Sequence, residues 1–219
     1  NSIMDYSIFD AISIGFNSIV IIVSSQTLSV FQERYLGKLP QNISLEFVVQ
    51  HSPELILKYP KRQKPYGTGH ALLKLKNHIE GNFALINADD FYGKEAFAVL
   101  GEFLITSVQP NLHAMVGYAL KNVLSAHGTV SRGVCDTNDK GQLIGMTERT
   151  SIAQEGDKIL SRGEGEALEI APNTPVSMNF WGFHPAVFQA IETMWQEFLP
   201  ANLGNLKSEF YIPTVANNL

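Results

Sequence analysis

The sequence predicts an α/β fold with a mostly parallel central sheet and a small antiparallel lobe. Three observations predict it. In the first half, short β-branched apolar runs alternate with amphipathic helical stretches. Those runs show no polar alternation, as strands covered on both faces do. In the second half, short strands follow one another between turn signals.

The elements follow in order. Ile8, Ala11 and Ile12 sit at helical spacing behind Asp5 or Ser7 as cap, and Gly15 stops the helix. In an alternating sheet protein a helix feeding a buried strand itself follows a strand. The pattern therefore predicts a first strand and its loop upstream of Asn1. Residues 18–23 (SIVIIV) read as a strand, 27–37 as a helix and 45–49 (LEFVV) as a second strand. A helix over 68–79 places Ala71, Leu72, Leu75 and Ile79 on one face, ended by Gly81. Residues 83–87 (FALIN) form a third strand, 94–106 an amphipathic helix and 112–119 a fourth strand. This is βαβ wiring with right-handed crossovers. Residues 129–135, 142–147, 158–161 and 166–170 are short antiparallel candidates. They read as an insertion packed beside the main sheet. Residues 176–183 form another strand. Pro185 opens a helix over 185–199 whose Val187, Phe188, Ile191, Met194, Trp195 and Phe198 share a stripe. Residues 207–219 read as helical and as cut within the element.

Composition narrows the function. The chain has 219 residues, 45% of them hydrophobic and 17% charged, which suits one globular domain with a sizeable core. Disorder, collagen and coiled coil are excluded. The longest apolar run, 19–23, is far short of the ~20 residues that span a bilayer. No basic-then-apolar leader pattern is present, and a single cysteine, Cys135, suits a reducing compartment. A cytoplasmic protein without membrane attachment is expected. The Asn42-Ile43-Ser44 acceptor pattern is too short to carry weight. A net charge of −5 argues against a general nucleic-acid binder.

Two segments stand at carboxyl ends of predicted strands, where α/β sheets bind ligands. Asn87-Ala88-Asp89-Asp90-Phe91-Tyr92-Gly93 places two carboxylates after the third strand. Charge beside a core needs compensation, and a magnesium ion (Mg2+) supplies it with one or two carboxylates, water and substrate phosphates. The competing reading has Asp89 or Asp90 capping the next helix, although Lys94 is a late start for that. Pro65-Tyr66-Gly67-Thr68-Gly69-His70-Ala71 offers glycines for close backbone approach and a helix start for anions or a planar base. The competing reading is a tight loop capped by Thr68. It matches neither the dinucleotide fingerprint nor the P-loop. Lys58, Lys61, Arg62 and Lys64 put four cations just upstream, as a polyphosphate attractor or as a solvated loop. Hydrolase elbows, zinc-protease helices and C-x-x-C pairs are missing from the sequence. Cys135, Trp181 and Trp195 read as packing residues.

The two loops in this order are more specific than either alone. KPYGTGHALL followed by FALINADDFYG resembles the sugar-phosphate nucleotidyltransferases, closest to their uridylyltransferase-like members. HGTVSRGVCDTNDKGQLIGMTERT, TPVSMNFWGFHPAVF and MDYSIFDAISIGFNSIVIIV also look like that family, so the resemblance covers nearly the whole chain. It implies one domain over 1–219 of the nucleotide-diphospho-sugar transferase type, with a sugar-binding lobe. It implies transfer of a nucleotidyl group from a nucleoside triphosphate, UTP favoured, to a sugar 1-phosphate with release of pyrophosphate. Gly67, Thr68, Gly69 and His70 match the loop that reads the nucleobase. Asp89 matches the catalytic, Mg2+-holding aspartate, with Asp90 beside it on the nucleotide. Gly133, Glu148 and Asn179 match sugar-binding positions. Arg149 and Thr150 depart from the family's lysine and proline after that glutamate, which leaves the sugar open. The family's glycine-rich triphosphate loop falls before Asn1 and its second metal aspartate after Leu219, so this chain alone is expected to be weakly active or inactive. A homo-oligomer is compatible with the sequence. Two other readings stay open: a nucleotide-sugar-dependent glycosyltransferase, which releases nucleoside diphosphate to an acceptor, and a non-catalytic nucleotide or sugar-phosphate binder.

Overall fold

A computed structural model describes residues 2–50, 62, 64–163 and 166–219. The predicted cations Lys58 and Lys61 lie outside the described residues. Helix α1 (Ile3–Ile14) begins earlier than the sequence suggested: Ser2 is its N-cap, and the Ser2 N–H donates to the Asp5 carboxylate at 2.6 Å. Gly15 closes it at φ 110°, a left-handed conformation that costs glycine nothing. Strand β1 (Ser18–Val23) pairs in parallel with β2 (Ser44–Val49) across α2 (Leu28–Tyr35).

The remaining strands correct the predicted parallel sheet. Strands β3 (Phe83–Leu85), β4 (Ala114–Ala119), β5 (Val130–Thr137), β6 (Leu143–Glu155), β7 (Lys158–Ser161), β8 (Leu168–Glu169) and β9 (Pro175–Phe183) form one sheet of seven. Every pairing in it is antiparallel. Strand β9 enters last in sequence yet lies at the centre. One edge pairs β4 along its length. The other pairs β5 at Val176–Ser177 and β3 at Trp181–Phe183. The short strands are therefore part of the main sheet rather than an insertion beside it. An apolar run with both faces covered looks alike in either direction, so the sequence pattern does not report it.

Helices cover both faces. Residues Met178 and Phe180 of β9 pack with Ala11 of α1 and with Phe97 and Leu100 of α4 (Lys94–Thr106). Trp181 and Phe183 pack on the opposite side. There they meet Leu72 of α3 (Thr68–Leu73), Phe188 and Ile191 of α5 (Val187–Ala201), and Val215 of α6 (Ile212–Ala216). The α3 helix is shorter than its stripe. Beyond Leu73 the chain continues in tight turns, such as Leu75 N–H to Leu72 O at 2.9 Å, that still bury Leu75. Among the described residues no helix is long and apolar enough to cross a membrane.

Candidate active site

The Asp89 loop is positioned by a tyrosine. Beyond Leu85 the chain leaves β9, and buried Tyr92 ties it back. Its hydroxyl donates to the Met178 carbonyl at 3.0 Å and accepts from the Asn87 N–H at 2.9 Å. The Tyr118 hydroxyl donates to the Tyr92 carbonyl at 3.1 Å. Burial pushes both phenols well above the ordinary tyrosine range, with the nearby Asp90 carboxylate adding to it. Both therefore remain protonated donors. Asn87 Nδ2 holds Asp90 at 2.9 Å. Asp89 is exposed and makes no hydrogen bond or ion pair to the described residues. Neither aspartate caps a helix, since the N-cap of α4 is Gly93.

The predicted sugar residues lie on three adjacent strands. Gly133 of β5 faces Glu148 of β6 on one side and Ser177 of β9 on the other. A Cβ at Gly133 would lie 2.7 Å from the Met146 sulfur, so any larger residue there would have to displace the Met146 side chain. Asn179 stands two residues beyond Ser177, at the point where β9 exchanges β5 for β3. The β4–β9 register also shifts here, and Asn179 adopts φ 59°, a conformation asparagine tolerates. Its N–H donates to Ser177 Oγ at 3.0 Å, while its buried Oδ1 has no partner among the described residues. Met178 thus connects the Asp89 loop, through Tyr92, to the bulge that presents Asn179. Surrounding protein pushes the Glu148 carboxyl up, although solvent reaches it, and the Arg132 guanidinium pulls it down.

The predicted nucleobase loop has a structural occupation that sequence reasoning missed. Its partner is the segment 208–212. A Cβ on Gly67 or Gly69 would meet the Phe210 carbonyl oxygen at 2.7 or 2.9 Å. Gly69 N–H donates to Phe210 O at 2.8 Å, Phe210 N–H to Tyr66 O at 2.7 Å, and Ile212 N–H to Thr68 Oγ1 at 3.1 Å. Thr68 is thus a tether to the segment, and the cap position belongs to Gly67. His70 is buried against the Tyr66 and Trp195 rings, and burial pushes it down to about 4. Arg62 stacks 4.0 Å from the Tyr66 ring centroid and donates to the carbonyls of Lys64, Pro65, Leu206 and Ser208. Lys64 meets Glu209 at 3.3 Å. The described members of the predicted cation cluster therefore bind this segment. The segment continues through α6, where Asn217 Nδ2 donates to the Met146 carbonyl at 3.1 Å. It joins the Gly67–His70 loop to the strand carrying Glu148. It lies more than 140 residues from the loop it bonds and 71 from Met146, so no local pattern announces it.

Cys135 is buried, and its thiol is pushed up to about 11 by burial, as a packing residue. Trp181 and Trp195 also pack in the core cluster. Among the described residues no group of three His, Cys, Asp or Glu could hold a metal ion. The donor set at Asp89 fits magnesium with one or two protein carboxylates and substrate oxygens, and does not fit a protein cage.

Two solved structures share this architecture. The chain aligns with the inositol-1-phosphate CTP transferase from T. maritima at a TM-score of 0.58 and 10% identity, over 99% of this chain and 67% of that one. The chain shares the fold of that transferase. HddC from Yersinia pseudotuberculosis aligns at a TM-score of 0.50 and 14% identity, over 84% of this chain and 64% of that one. The chain spans about two thirds of the length of each. No protein-family model matches the sequence, and neither does any curated protein.

Proposed function

We propose that this chain forms the core of a sugar-phosphate nucleotidyltransferase. The observation that carries the reading is the convergence at the β9 bulge. The Asp89 loop is tied through Tyr92 to Met178, next to Asn179, and the Gly133–Glu148 row pairs with β9 at Ser177, two residues before Asn179. The fold shared with an inositol-1-phosphate CTP transferase supports it. In this reaction a sugar 1-phosphate oxygen attacks the α-phosphorus of a nucleoside triphosphate. A new P–O bond forms, the bond to the β-phosphate oxygen breaks, and pyrophosphate leaves with the electron pair. No protein nucleophile is needed, because positioning and charge neutralisation lower the barrier. Asp89, with Asp90 beside it, would hold Mg2+, which supplies charge neutralisation at the phosphates. Gly67 to His70 line the side where the base is read. Glu148 and Asn179 provide acceptors for sugar hydroxyls, and Gly133 keeps the floor between them low. A cytoplasmic setting without nucleic-acid or membrane partners suits the composition, and a homo-oligomer is compatible with it.

The test is pyrophosphate release by the whole protein with Mg2+, UTP or CTP, and a panel of hexose 1-phosphates. UTP is the triphosphate the sequence resemblance favours, whereas the fold neighbour is a CTP transferase. Asp89→Asn is expected to lose about a hundredfold or more in turnover. Its melting temperature should match wild type, because the Asp89 carboxylate bonds to none of the described residues. An Asp89→Asn enzyme of normal turnover removes the metal assignment.

A further inference from the structure

A groove between α1 and the turn that follows α2 plays no part in the roles above. Its volume of about 590 Å³ falls within the roughly 300–1,000 Å³ of small-molecule sites. Ile8, Ile12 and Leu39 line it, and the core cluster beneath α1 holds all three in place. Phe9, 68% exposed, lines it too. Two cations, Arg34 and Lys38, share the groove. Asp5 pins the guanidinium. Arg34 Nε and Nη2 both donate to its carboxylate, and Nη2 also donates to Ser2 Oγ at 3.2 Å. Those Arg34 contacts hold the Asp5 carboxyl well below the usual range, so it stays ionised. Arg34 Nη1 donates to none of the described residues. Lys38 Nζ donates once, to the Glu33 carbonyl at 2.8 Å, although an ammonium has three N–H groups. An apolar lining thus meets a fixed guanidinium edge and an ammonium with donors to spare. The groove is separate from the candidate active site. There α1 meets the Asp89 loop through Tyr6, whose ring lies edge-on to Phe91 at 6.2 Å, and neither ring lines the groove.

We propose that this groove is a second binding site, which takes a small free carboxylate with an apolar body the length of a medium acyl chain. Lys38 Nζ and Arg34 Nη1 supply the donors for the carboxylate. Ile8, Phe9, Ile12 and Leu39 cover the body. Charge selects the class. Asp5 neutralises Arg34, so Lys38 is the surplus cation and one negative charge matches it. A phosphate dianion brings a second charge beside the ionised Asp5 and is repelled. A neutral alcohol gains the apolar burial but not the charge-assisted bonds. Packing already fixes the lining, and Asp5 already fixes the guanidinium, so little side-chain freedom is lost on binding.

Methyl NMR titration of the whole protein with octanoate, octanol, octyl phosphate and acetate tests this. Octanoate should shift the methyl signals of Ile8, Ile12 and Leu39 and bind about tenfold or more tighter than acetate. It should also bind about fivefold tighter than octanol and tighter than octyl phosphate at pH 8. Lys38→Gln should weaken octanoate about fivefold and leave octanol within about twofold. Phe9→Ser should weaken both alike. Each side chain is exposed, so neither variant should melt lower than wild type. Octanoate that binds no tighter than acetate or octanol overturns the proposal. So does octanoate that shifts methyls away from the groove, or that is indifferent to Lys38→Gln. A protein that sediments as a dimer, excludes octanoate and becomes monomeric in Phe9→Ser assigns the face to a second copy and overturns it equally.

Discussion

At the scale of single residues, His70 shows how an apparently functional side chain answers to its surroundings. Burial, then Lys74 and Arg62, pushes the imidazole from 6.5 down to about 4. Between these values the unfolded chain binds more protons than the folded one, so stability falls as pH drops. The effect is absent above pH 6.5 and complete below pH 4. At 1.36 kcal/mol per unit it amounts to about 3 kcal/mol. Urea unfolding at pH 7 and pH 4.5 is expected to show a loss about 2–3 kcal/mol larger for wild type than for His70→Phe. Equal losses would place the proton elsewhere. The neutral ring is enclosed by Tyr66, Trp195 and their neighbours. The aspartate doublet at Asp89 and Asp90 was legible because its members are adjacent and follow an apolar strand. Tyr92 was not, since what it does depends on Met178, 86 residues away.

At the scale of elements, the segment 205–217 matters most. Residues 207–219 read as helical in the sequence, but only Ile212–Ala216 forms a helix. Residues 208–211 extend because the Phe210 backbone groups bond across to Tyr66 and Gly69 rather than within the segment. Arg62 reinforces this by donating to carbonyls on both strands of the junction, including Ser208 at 2.6 Å. Arg62→Ala is expected to destabilise the protein by about 1–3 kcal/mol, since carbonyls that faced a cation lose it. Protease cleavage near 203–208 should accelerate more than global unfolding does, because the junction opens before the core. Unchanged cleavage would mean that Thr68 and the Phe210 backbone bonds suffice. The glycines at 67 and 69 belong to the same account. The sequence signalled close approach of something to that loop, and in the structure the Phe210 backbone occupies that position.

At the scale of the whole molecule, β9 is the shared member of both core layers. Met178 and Phe180 face α1 and α4, while Trp181 and Phe183 face α3, α5 and α6. Phe180 is fully buried, and Phe180→Ala is expected to cost about 3–5 kcal/mol. The loss should appear as one transition by far-UV circular dichroism and by tryptophan fluorescence alike. Two separated transitions would show that the layers fold independently. The amino-acid sequence alone determined the places of nearly all strands and helices, the αL stop at Gly15 and the two loops that hold the candidate chemistry. Each of these depends on local periodicity, turn residues or steric freedom, which neighbouring residues express. Strand order, the antiparallel direction of the large sheet, the bulge at Asn179 and the bond between Gly69 and Phe210 were decided only by the tertiary structure. They arise from pairings between residues far apart in the chain, where backbone hydrogen bonds and apolar contact select a partner that no local pattern names.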